Sequence, residues 1–93
     1  MVDKQEYDRA VIDNMRSVLL EHDGRLHFKS RLLEATLKER LERTFPEQVF
    51  CYGSDTLRQL ACSEAGQKYF RVEHRGDIVS REHHARGTNR AQH

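Results

Sequence analysis

The sequence predicts a small α+β domain, and three observations carry that reading. Apolar residues recur at helical spacing in three separate stretches. Residues 69–82 instead alternate apolar and polar side chains on either side of Arg75-Gly76. A short alternation, Arg25-Leu26-His27-Phe28, stands between the first two helical stretches. Ninety-three residues hold one domain, expected over residues 1–83, followed by a flexible basic tail at 84–93 with almost no apolar content.

The first helix is expected over residues 6–22, EYDRAVIDNMRSVLLEH. Tyr7, Val11, Met15, Val18 and Leu19 share one face, and Ile12 widens it. Asp3, Glu6 and Asp8 stand in the first turns, where the helix dipole favours negative charge. Asp23-Gly24 is the stop signal, with glycine in the left-handed conformation. Arg25–Phe28 then reads as a brief strand or extended connector.

The second helix is expected over residues 29–45, with Leu33, Leu37, Leu41 and Phe45 as an i, i+4 stripe and Leu32 beside it. Ser30 is its N-cap, and Pro46 ends it by disfavouring helical geometry at Phe45. Glu34 with Lys38, and Glu39 with Arg43, are favourable i, i+4 pairs on the wet face. A connector at 47–53 offers Val49, Phe50 and Tyr52 as anchors. A third helix follows from Ser54, its expected N-cap, with Leu57, Leu60 and Ala61 inward and Gly66 closing it. Two strands, 69–74 and 77–82, complete the chain as a hairpin around Arg75-Gly76, with Phe70 and Val72 facing the core.

Helix, short strand, helix, helix and hairpin is the order of a winged helix-turn-helix domain, in which Arg25–Phe28 would pair with the hairpin in a three-stranded sheet. A three-helix bundle with an independent hairpin is the competing architecture, although isolated hairpins are rarely stable. Within the winged-helix superfamily, residues 10–80 resemble the LOTUS (OST-HTH) domains. The likeness lies in Met15–Leu26 with its Gly24 step, in Tyr52-Gly53 leading into a helix through Leu60, and in Tyr69-Phe70-Arg71-Val72 before a turn and return strand. That resemblance implies binding of structured RNA or of a DEAD-box helicase, without catalysis.

Composition narrows the function classes. Hydrophobic residues are 37% and charged residues 33%, so the core is small but the chain is not of disordered type. No apolar stretch approaches the roughly 20 residues of a membrane span. MVDKQEYDRA is too acidic for a secretory leader, and an intracellular protein with Cys51 and Cys62 as reduced, semi-buried thiols is expected. The net charge of +1 is unevenly placed: −3 over residues 1–24, +2 over 25–48, −1 over 49–67 and +3 over 68–93. A basic face can hold phosphate on a molecule that is nearly neutral overall.

The expected nucleic-acid contacts are Arg58 on the third helix, Lys68 beyond its end, and Arg71, Arg75 and Arg81 on the hairpin. Arginine forks suit phosphate, although Glu73, Asp77 and Glu82 are interleaved with them. The alternative is a protein-interaction surface on the second helix through Lys38, Arg40 and Arg43, serving a helicase partner, an adaptor role or a homodimer. The six histidines and two cysteines lack paired metal-ligand spacing, so neither metal nor other cofactor is expected. There is no phosphate-binding glycine loop, no H-E-x-x-H and no G-x-S-x-G, and catalysis is not expected. Arg75-Gly76-Asp77 reads as turn chemistry rather than as an adhesive tripeptide.

Overall fold

The long apolar stripe near the N-terminus folds as helix α1, Lys4–Glu21, burying Tyr7, Val11, Ile12, Met15, Val18 and Leu19. The computed structural model describes residues 2–83, and the basic tail expected at 84–93 lies outside the described residues. The helix stops where the sequence signals it: the Gly24 amide returns to the Leu19 carbonyl at 2.7 Å, and Asp23 and Gly24 take φ of 60° and 84°. Strand β1, Arg25–His27, follows at once.

Helix α2, Arg31–Thr44, begins at Ser30, whose hydroxyl accepts the Leu33 amide, and ends with Phe45 as C-cap before Pro46. Leu33, Leu37 and Leu41 are fully buried, whereas Leu32, expected beside the stripe, is 47% exposed. Lys38 turns to Glu42 rather than to Glu34, and Glu42 also accepts the Phe50 amide, which ties the following connector to α2. The Arg43–Glu39 pair forms as expected.

Helix α3, Ser54–Cys62, is capped by Gly53 and not by Ser54, which is its first helical residue. Leu57 and Ala61 face inward, so Cys62, the next residue round the helix, points outward. Cys51 lies between the inward-facing Phe50 and Tyr52 and is also exposed, so neither thiol is semi-buried. A 3₁₀ turn, Gly66–Lys68, joins α3 to strand β2, Phe70–Val72. A Cβ on Gly66 would fall 1.9 Å from the Leu60 carbonyl oxygen, so only glycine fits against the end of α3.

Strand β3, Asp77–Ser80, completes an antiparallel sheet of order β1-β3-β2. The expected pairing of the short first strand with the hairpin is present: Ile78 lies between Leu26 and Val72, and Val79 between Arg25 and Arg71. The first row faces the core with Phe70 and the second faces outward. Among the described residues the architecture is thus α+β, three α-helices with one three-stranded sheet. None of those helices is long and apolar enough to cross a membrane.

Candidate nucleic-acid interface

The hairpin turn is built from Glu73 to Gly76, with the Gly76 amide returning to the Glu73 carbonyl at 2.8 Å. Gly76 has φ of 99°, which a glycine adopts without penalty. A Cβ there would also meet His27 Nε2 at 2.6 Å and Phe28 Cε1 at 2.7 Å. The glycine of the Arg-Gly-Asp triplet therefore lets the turn close down on two aromatic rings, one at the end of β1 and one just beyond it.

Beside the Phe28 ring the fold places two cations. The Arg58 guanidinium of α3 lies 5.3 Å from the Phe28 ring centroid, and the Lys29 ammonium 5.8 Å from it. His27 stacks on Phe28 at 4.9 Å and an interplanar angle of 21°. The Arg75 carbonyl is held by the His27 ring at 2.9 Å, which fixes the turn beside the same cluster. Lys29, Arg58 and Arg75 make no ion pair with a carboxylate among the described residues. Each is exposed.

The other expected contacts sit in different surroundings. Arg71 shares the outer face of the sheet with Arg25, and both bond Glu73, Arg71 at 3.1 Å and Arg25 at 2.7 Å. Arg25 also reaches Asp77 at 2.9 Å. The Arg25 hydrogen bond, before any other influence, holds the Glu73 carboxyl below its ordinary value. Arg81 gives its Nε–H to the carbonyls of Gln67 and Phe70, both at 2.9 Å, bracing the start of β2. Lys68 lines a groove between α1 and the end of α3 with Asp3, Glu6, Arg9 and Glu64, apart from the Phe28 cluster. Of the five expected residues, Arg58 lies at the Phe28 ring, and Arg75 lies in the turn whose backbone the His27 ring holds.

On α2, all three cations proposed for partner binding are ion-paired within the chain. Lys38 meets Glu42 at 2.8 Å and Arg43 meets Glu39 at 2.9 Å. Arg40 crosses to Glu21 on α1 at 2.9 Å, fastening the two helices. That hydrogen bond lowers the Glu21 carboxyl and raises the Arg40 guanidinium from their ordinary values.

Sequence alone does not bring Lys29, Phe28 and His27 together with Arg58 as one candidate site. Their signal was the adjacency of aromatic and basic residues in His27-Phe28-Lys29, which the strand alternation of Leu26 and Phe28 overshadowed. No protein-family model, no curated protein and no solved structure matches the chain.

Proposed function

We propose that the chain is a non-catalytic nucleic-acid-binding module of the winged-helix type. The element order, with β1 paired to the hairpin and α3 preceding it, supports the winged-helix reading. The observation that carries the function is the placement of Lys29 and Arg58 at Phe28, beside the turn that carries Arg75, with no carboxylate ion-paired to any of the three among the described residues. Cations held together without acidic partners keep their attraction for phosphate, whereas Arg71 would first have to give up Glu73. Such binding is driven by counterion release and needs no large excess of positive charge on the whole molecule.

The test is fluorescence anisotropy of labelled DNA and RNA oligonucleotides over a salt series. Three phosphate contacts predict that log K falls against log salt with a slope of about −2 to −3. Finding no salt-sensitive binding to DNA or RNA in any form would remove the proposal.

A further inference from the structure

His27 is fixed at both ring nitrogens. Its Nδ1 accepts the Lys29 amide N–H at 3.1 Å, and its Nε2 lies 2.9 Å from the Arg75 carbonyl oxygen. An amide donor at Nδ1 and a carbonyl acceptor at Nε2 require the neutral imidazole protonated on Nε2. Held in this way, the ring has little rotational freedom left to lose when another group packs on it. Phe28 supports it from one side in a near-parallel stack, with the Arg58 and Lys29 cations over the Phe28 ring. His27 itself remains partly exposed.

A rigid aromatic pair with two cations at one of its rings and an exposed arginine in the adjoining turn suits a single strand better than a duplex. Every base offers a π-face to stack once it is unpaired, and its flanking phosphates then lie within reach of the surrounding cations. Duplex reading by a helix draws on three or four side chains that reach base edges. Helix α3 exposes Asp55, Arg58, Gln59 and Cys62, of which Arg58 is turned to Phe28 and Asp55 repels phosphate.

We propose that the ligand of this face is single-stranded nucleic acid, with one base stacked on His27 and its neighbouring phosphates held by Lys29, Arg58 and Arg75. The proposal rests on the nucleic-acid reading above and specifies the form of the ligand.

The experiment compares oligo(U), oligo(dT) and a mixed-sequence duplex, each of about 12 units, for binding to the full chain. Single strands are expected to bind about ten-fold tighter than the duplex. His27→Ala is expected to weaken single-strand binding by about five- to a hundred-fold, the range set by loss of one base stack. His27→Phe keeps an aromatic face and is expected to restore most of the loss. With the unaltered protein, the His27 ring-proton resonances are expected to move upfield on adding oligo(U) and not on adding inorganic polyphosphate. A duplex bound as tightly as the single strands overturns the proposal, as do His27 resonances unmoved at saturating oligo(U). Either result, with salt-sensitive binding retained, leaves the nucleic-acid reading standing. Absence of salt-sensitive binding to all three probes removes both. A preference between oligo(U) and oligo(dT) assigns the ligand to RNA or DNA and supports the proposal either way.

Discussion

Arg16 grips Glu82 through two hydrogen bonds, Nε to Oε1 at 3.0 Å and Nη2 to Oε2 at 2.8 Å, joining α1 to the chain just beyond β3 across 66 positions of sequence. The same guanidinium lies 4.0 Å from the Tyr69 ring centroid. One side chain thus fastens the hairpin to the first helix at both of the hairpin's outer ends. Its hydrogen bonds, ahead of other influences, hold the Glu82 carboxyl below the ordinary 4.5.

This clamp sets a pH dependence. A carboxylate whose folded-state pKa is lowered stabilises the fold fully above its unfolded value and loses that contribution as pH falls through the folded value. Both side chains are about one-third exposed, so solvent screening limits the pair to about 1 kcal/mol. Glu82→Gln is expected to lower stability by about that amount at pH 7, with the difference from the unaltered chain shrinking as pH falls below the ordinary carboxyl range. Urea unfolding over a series of pH values from 7 downward measures it. Arg16→Ala, which also removes the contact with Tyr69, is expected to cost about 1–2 kcal/mol at pH 7.

Gly66 is fixed by the space around it rather than by its φ. Its added Cβ would strike the backbone oxygens of Leu60 and Ala61, at 1.9 Å and 2.9 Å, and neither can move without opening the end of α3. Gly66→Ala is expected to destabilise by about 1–3 kcal/mol, as overpacking of a closed site does. Chemical denaturation reads the loss directly.

Tyr7 has a buried hydroxyl with no hydrogen-bond partner among the described residues. Its ring packs between Phe45 and Tyr52 with centroids at 5.3 Å and 5.4 Å. Burial, the largest influence, raises the phenol above its ordinary value. Tyr7→Phe keeps the ring and removes an unsatisfied polar atom, so a gain of up to about 1 kcal/mol is expected. Tyr7→Ala, which empties the same site, is expected to lose about 3–5 kcal/mol. Thermal unfolding of both variants checks the opposite signs.

The cations of the proposed interface should differ in effect according to their present partners. Lys29→Ala, Arg58→Ala and Arg75→Ala are each expected to reduce the salt slope of nucleic-acid binding by about one unit. Lys68→Ala and Arg43→Ala are expected to leave it unchanged, one lying in the α1–α3 groove and the other paired with Glu39. Anisotropy over a salt series separates the two groups.

Local signals made much of the fold legible. The stripe from Tyr7 to Leu19, the Ser30 cap, the stop at Pro46 and the alternation around Arg75-Gly76 each act within a few residues, and each element formed where they point. Boundaries shifted where two neighbours could serve one role, as with Gly53 and Ser54 at the start of α3. The candidate site was only half legible. His27 meets the Arg75 backbone across 48 positions, and Phe28 meets Arg58 of α3 only in the folded chain. Ion pairing was hidden for the same reason: nothing local to Arg40 names Glu21, and nothing local to Arg16 names Glu82.

A two-dimensional ¹H–¹⁵N NMR titration of the full chain with an oligonucleotide that binds it locates the interface most directly. The largest amide shifts are expected to fall together on Phe28, Lys29, Arg58, Arg75 and Gly76. Shifts concentrated along α2 at Lys38, Arg40 and Arg43, or in the groove around Lys68 and Glu64, would contradict the proposed interface.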